Sequence, residues 1–375
     1  MISRIVLGAF LALVTAIGGV TSYLVLDARQ SKVAVAPVKP TAAQPTPHAF
    51  APAGTIYLAQ AGALYSYSYG RFHQLTTEDG WTQVSLTPDG NLIAVRRGGF
   101  SSDVYILNRY GRVLRQLTNN AAPRRSYDTG DNHWAFYPRM TGDGNTIFLS
   151  YDKPKGGYEV DLSVWSMPLN GGIGRGTDWT YSEGYTGGDM QPIPAPGGLI
   201  YTKYLRADDG SIHSQIWWVN RPYPNSLYAG RALTSQGQDC RSPSFTTDFK
   251  YVAMVCTYGQ QVSNLVIAPF HGSTLGPLTT LITGQMVAQP VWAPDGSGIA
   301  YLAPALPDMP FQLWFLPAAA YAPPAAPSPA PSPSAGATAA SPGPQPSPSP
   351  APVVKPIQLT LSVGLDATST LAWAP

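Results

Sequence analysis

The sequence predicts an all-β fold: a six-bladed β-propeller with four-stranded antiparallel blades, the last blade combining N-terminal strands with a C-terminal one. Three observations carry this. A hairpin centred on a Pro-Asp-Gly-type turn occurs five times at a spacing of roughly fifty residues, the period of a four-stranded blade. A second pair of strand signals follows each hairpin. Two fragments of the pattern stand out of order: a blade-ending strand near the start, and the opening of a further hairpin at Trp373-Ala374-Pro375. The 38 prolines and 37 glycines supply turns between aromatic and β-branched runs, so composition points the same way.

The hairpin is clearest over residues 289–303, QPVWAPDGSGIAYLA. Pro294 pre-sets φ at the second turn position, Asp295 tolerates the third, and Gly296 takes the positive φ that follows. The other copies are 83–96, 138–151 with Gly142 in place of the proline, 191–204 with a shortened turn at Pro196-Gly197-Gly198, and 242–255 keeping only Asp248. Each supplies strands A and B of a blade. Strands C follow at 103–108, 162–167, 215–220, 263–268 and 312–317. Strands D are expected at 112–118, 174–179, 231–234, 276–283 and 356–363.

Three strand signals, 55–60, 63–68 and 70–76, precede the first hairpin. The third of them, GRFHQLT, matches GRVLRQLT at 111–118, so it ends a blade and the two before it fit strands B and C. Residues 371–375 supply the missing strand A. A sixth blade assembled from both ends of the domain leaves no open edge in the ring.

The propeller is expected to span residues 54–375, and other segments stand outside it. No charged residue occurs from Ile5 to Leu26, a stretch that as a helix would be ~33 Å long, enough to cross a bilayer core. Residues 1–26 are therefore expected to be a transmembrane signal anchor or a signal peptide, placing the remainder outside the cytoplasm: membrane-bound if uncleaved, secreted if cleaved. Residues 27–53, rich in Ala, Pro and Thr, read as an extended tether. Residues 318–354, almost only Ala, Pro, Ser and Gly, read as a disordered insertion within the fifth blade.

The run from an apolar strand through Pro-Asp-Gly to a strand ending Gln-Leu-Thr resembles the WD40-like Pro-Asp repeat of TolB-type β-propellers. Pro88-Asp89-Gly90, Pro294-Asp295-Gly296, Gln74-Leu75-Thr76 and Gln116-Leu117-Thr118 carry the likeness, which covers residues 53–375 apart from the insertion. The resemblance implies six blades, in agreement with the count above, and implies no single function. It extends to the propeller alone. The separate α/β domain of TolB has no counterpart here, and no Gly-x-Ser-x-Gly nucleophile elbow of propeller-bearing peptidases occurs.

The chemistry expected of the chain is sparse. A formal net charge of +2 with 12% charged residues offers no basic stripe for nucleic acid. Cys240 and Cys256 flank one hairpin symmetrically about Asp248, so a disulfide is expected in an oxidising compartment. Two long D-to-A loops hold the candidate ligand-binding residues: Arg124, Arg125, Asp128, Asp131, His133 and Trp134 in one, Trp179, Tyr181, Glu183 and Asp189 in the other. Neighbouring loops would form an aromatic and charged patch between the second and third blades, suited to a carbohydrate or peptide. Asp128, Asp131 and His133 match no strong metal motif, and no catalytic residue, metal or cofactor is assigned. The expected function is a non-catalytic, extracytoplasmic, membrane-tethered scaffold for a protein or cell-envelope polymer. The alternative is a glycosidase or lyase acting at the loop-rich face.

Overall fold

The computed structural model describes residues 50–122, 129–153, 161–224, 230–321 and 354–375. The expected anchor, most of the tether and residues 322–353 of the insertion lie outside the described residues. Among the described residues no helix is long and apolar enough to cross a membrane.

The described chain forms six four-stranded antiparallel sheets. Strands β1 (Thr55–Gln60), β2 (Ala63–Ser68) and β3 (Arg71–Gln74) precede blade 1, which comprises β4 (Trp81–Leu86), β5 (Leu92–Arg97), β6 (Ser102–Leu107) and β7 (Val113–Gln116). Blade 2 comprises β8 (Ala135–Met140), β9 (Thr146–Tyr151), β10 (Ser163–Pro168) and β11 (Thr177–Asp178). Blade 3 holds β12 (Asp189–Ala195), β13 (Gly198–Arg206), β14 (Ile212–Val219) and β15 (Arg231–Ala232). Blade 4 holds β16 (Cys240–Phe245), β17 (Tyr251–Cys256), β18 (Ser263–Pro269) and β19 (Thr279–Gln285). Blade 5 holds β20 (Ala288–Trp292), β21 (Gly298–Pro304), β22 (Phe311–Pro317) and β23 (Ile357–Gln358). Finally β24 (Ala372–Ala374) pairs antiparallel with β1, Ile56 opposite Trp373, and completes blade 6 as β24-β1-β2-β3. The ring closes as the sequence predicts.

The described residues have no single central core. Six clusters of buried side chains fill the six joints between neighbouring blades. Strand β1 illustrates the logic: Ile56 and Leu58 point into the joint with blade 5, Tyr57 and Ala59 into the joint with blade 1. Side chains alternate across a strand, and here both faces are buried, so second strands read as unbroken apolar runs.

Local signatures in the sequence have identifiable jobs. In the Gln-Leu-Thr ends, the Leu75, Leu117 and Leu359 amides donate to the Leu64, Val104 and Leu313 carbonyls, each at 2.8 Å. The following threonine hydroxyl then accepts the N–H of that same residue, at 2.9 Å for Thr76 and Thr360 and 3.0 Å for Thr118. The threonine thus extends the ladder beyond the last backbone pair. Three of the hairpin turns share a threonine–aspartate bond: Asp89, Asp143 and Asp248 accept from the hydroxyls of Thr87, Thr141 and Thr246. Those bonds hold the Asp89 and Asp143 carboxyls below the usual carboxylate range, and the Lys250 ammonium together with Thr246 brings Asp248 down to about 2.

Every strand A of blades 1 to 5 carries a β-bulge near its start, where Gln83, Tyr137, Gln191, Ser242 and Gln289 adopt φ between 48° and 56°. The residue after it is proline in four of the five: Pro138, Pro192, Pro243 and Pro290. Proline has no N–H for the ladder and is tolerated where a bulge interrupts it. The bulge residues stitch blade to blade: the Tyr137 N–H donates to Gln83 Oε1 at 2.8 Å, the Ser242 N–H to Gln191 Oε1 at 2.9 Å, and the Gln83 N–H to Ser369 Oγ at 2.7 Å.

The bulge also sets the disulfide. Near the turn Phe245 opposes Val252, a register that would bring Cys240 opposite Thr257; the extra residue at Ser242-Pro243 shifts it by one. Cys240 then opposes Cys256, and the two are bonded. The start of the insertion departs from expectation. Ala318–Ala320 forms a 3-10 turn, and Tyr321 packs edge-on against Trp292 with ring centroids 5.8 Å apart.

Candidate functional site

The D-to-A and B-to-C loops share one face of the ring, and the two loops singled out in the sequence take different courses. In the first, Arg124, Arg125 and Asp128 lie outside the described residues. Asp131 closes a 3-10 turn, Thr129–Asp131. His133 Nδ1 meets Asp152 Oδ1 at 2.8 Å while its ring stacks on Tyr151. Trp134 stacks on Phe136, ring centroids 5.8 Å apart, and Arg97 lies over both rings. The side chains of His133 and Trp134 thus pack against blade 2 and against Arg97 of blade 1. Among the described residues no group of three His, Cys, Asp or Glu side chains is placed to hold a metal ion.

The second loop, 179–188, builds a pocket of about 320 Å³ between blades 2 and 3. Its origin is local packing. The joint between these blades holds five buried apolar residues among those described, against nine to twelve in each of the other five. Tyr201, Lys203 and Leu205 alternate along β13 and line one wall; Trp217, opposite Tyr201 in the register, extends it. Thr180, Tyr181 and Glu183 from the loop form the other wall.

The loop is pinned at both ends. Asp161 of blade 2 accepts the Tyr185 N–H at 2.9 Å and the Gly187 N–H at 3.1 Å. From blade 3, Lys203 Nζ donates to the Tyr181 carbonyl at 2.7 Å and the Arg206 amide to Glu183 Oε2 at 3.1 Å. Gly188, at φ 89°, is a position only glycine fits: a Cβ there would lie 2.1 Å from the Leu162 carbonyl oxygen. With the backbone held, the rings of Tyr181 and Tyr185 are left outward, 61% and 70% exposed. Tyr181 stacks on Tyr223 at 5.9 Å.

Beneath the pocket lies an ionic group. Asp189, fully buried, pairs with Lys203 at 3.1 Å, and Lys203 in turn sits 5.8 Å over the Trp217 ring. Burial raises the Asp189 carboxyl despite that partner. Asp178 is pushed up to about 6, chiefly by burial, with the neighbouring Asp189 charge adding to it. Trp179 is a packing residue: it meets Phe148 edge-on at 5.2 Å and donates its indole N–H to Ser166 Oγ at 2.9 Å. Of the predicted residues that are described, only Tyr181 and Glu183 line the pocket. Lys203 and Trp217 were missed, although a lysine inside the apolar run LIYTKYL of 199–205 signals a buried charge that needs an acid.

Hydrolytic constellations are missing from the described residues around this pocket. Ser211 Oγ and His213 Nε2 meet at 2.7 Å, but the serine also donates to Asp209 and the group sits on a solvent-facing hairpin. Glu183 is the sole carboxylate in the pocket lining.

Comparison with protein-family models and with curated proteins finds no match. Solved structures do match. One is a putative TolB from Agrobacterium tumefaciens, 11% identical, with 86% of this chain covering 98% of that chain at a TM-score of 0.53. Another is TolB from Acinetobacter baumannii, 15% identical, TM-score 0.51; 71% of this chain is covered, and the match spans 61% of that chain. With six four-stranded blades, ring closure by β24 and these similarities, the chain has a TolB-like β-propeller fold.

Proposed function

We propose that the chain is an extracytoplasmic, membrane-tethered propeller that binds a protein partner through its loop-rich face. The observation carrying this reading is the set of large apolar side chains that the loops of that face leave in solvent. Tyr181 lines the pocket and Tyr185 stands on the same loop, Phe100 is on the blade 1 loop, and Met286, Leu306 and Leu361 are on loops that enter, cross and leave blade 5. Exposed apolar patches are characteristic of protein-binding surfaces, and tyrosine and methionine are favoured at them. The disulfide supports an oxidising compartment, and the uncharged stretch 5–26 supports an anchor with residues 27–53 as tether.

The glycan-active alternative has less support. Its best observation is the raised Asp178 and Asp189 carboxyls, but Asp189 is committed to Lys203 and neither acid lines the pocket. A soluble domain starting at Ala53 tests the proposal by capture of proteins from the native envelope. The wild-type domain retains a partner that the Tyr181→Ala/Tyr185→Ala/Leu306→Ala variant loses while melting normally. Equal capture by both would refute the role of this face.

A further inference from the structure

The central channel is lined by residues separate from the loop-rich rim. The bulged strands β8, β12, β16 and β20, with the residues just before β24, enclose a small cavity on the propeller axis. Its volume is about 10 Å³, close to what one water-sized body occupies. Tyr137, Gln191, Ser242, Gln289 and Thr370 contribute to the lining, and Arg139 is its single charged residue.

Arg139 is the anomaly. A guanidinium carries five N–H donors in a fixed fork and is ordinarily matched with a carboxylate or several carbonyls when removed from water. Its side chain is half-buried in the channel wall, and among the described residues no ion pair or side-chain hydrogen bond engages the guanidinium. Desolvation alone acts on it, lowering its pKa to about 10, with no neighbouring carboxylate to counter the effect. The acid at the channel mouth, Asp366, is turned to Thr82 and to its own turn, where it accepts from the Thr368 N–H at 2.9 Å and hydroxyl at 2.7 Å.

The neutral part of the lining has donors to spare. Ser242 Oγ accepts from Gln191 Nε2 at 3.1 Å, so its hydroxyl proton is uncommitted among the described contacts. Gln191 and Gln289 each spend one amide proton, on Ser242 and on the Ala367 carbonyl, and retain a second. A lone cation, surplus neutral donors and a water-sized space together describe an anion site. We propose that Arg139 and this lining bind one small monovalent anion of halide size in the central channel, where it neutralises the guanidinium and ties the bulged strands of neighbouring blades together. The space is too small for a phosphate, a sulfate or a peptide carboxylate without rearrangement.

The test is thermal and chemical unfolding of the soluble propeller in sodium chloride, bromide, acetate and gluconate at constant ionic strength, for the wild type and for Arg139→Met. Above the dissociation constant, each tenfold rise in chloride or bromide is expected to multiply the wild-type folding constant by about ten, and that of Arg139→Met by about one. Equal halide responses in the two proteins, or stabilisation of the wild type by acetate and not by halide, would overturn the assignment. Should the variant fail to fold, crystals of the wild type grown in bromide decide. An anomalous peak within hydrogen-bond distance of the Arg139 guanidinium supports the site, and a featureless channel in those crystals rejects it.

Discussion

Trp373 is where the account of ring closure can be tested hardest. It belongs to a strand of only three residues, β24, and a strand so short is ordinarily a minor contributor. Yet its side chain is 5% exposed, lies edge-on to Phe315 of blade 5 at 6.0 Å, and donates its indole N–H to the Ala53 carbonyl at 2.9 Å. Its backbone pairs with Ile56. Replacing it by alanine removes a buried indole from the joint between blades 5 and 6, at a cost of about 3–5 kcal/mol. For a domain of this size that corresponds to a fall in Tm of about 5–9 °C. Trp292, the matching residue of the 289–303 hairpin, is buried to a similar degree and donates to the Ser244 carbonyl at 3.0 Å, so Trp292→Ala is the calibrating variant. Calorimetry of the two variants should give falls of the same size. A Trp373→Ala protein melting within about 1 °C of the wild type, with Trp292→Ala clearly lowered, would refute the closure.

Other expectations follow from the same geometry. Mass spectrometry of the folded domain should find Cys240 and Cys256 joined, and reduction should cost about 3 kcal/mol of stability for a loop of this length; free thiols in the native protein contradict it. Asp178 has a folded-state pKa near 6, above its value in the unfolded chain, so the native state holds the proton more tightly. Stability should therefore be greatest below about pH 4 as far as this group is concerned, and should fall as pH rises toward 6. After discounting for its partly solvated surface the loss is roughly 1–2 kcal/mol. Asp178→Asn should flatten that part of the urea-derived stability profile; an unchanged profile rejects the burial argument. Gly188→Ala should detach loop 179–188 from Leu162, read as increased proteolysis of the loop, and a variant as resistant as wild type would show that the close approach is not required.

The scaffold was legible in the sequence because its signals are local and repeated. The turn aspartates bond to threonines two residues away, and the Gln-Leu-Thr ends bond to the adjacent strand at a fixed offset, so each copy announces itself. The disulfide was reached by a symmetric register about Asp248; the true reason includes a bulge at Ser242-Pro243 that the symmetry argument did not contain. The prolines in strand A were the readable sign of that bulge. Loop destinations were not legible, since they depend on partners in other elements. His133 is claimed by Asp152 from the end of β9, and Trp179 is drawn into the core beside Phe148. Lys203 and Trp217, on strands expected to serve packing alone, complete the pocket because alternation along β13 turns them toward a thinly filled joint.

The claim that the loop-rich face receives a protein partner is tested most directly by site-specific photo-crosslinking in the native envelope. A photoreactive side chain is placed at Tyr185 or Leu306 on that face, and at Tyr69 or Tyr110, exposed in the C-to-D turns of the opposite face. The account predicts a discrete crosslinked species from Tyr185 and Leu306 and none from Tyr69 and Tyr110. Crosslinking to the same protein from the opposite-face positions alone would contradict it.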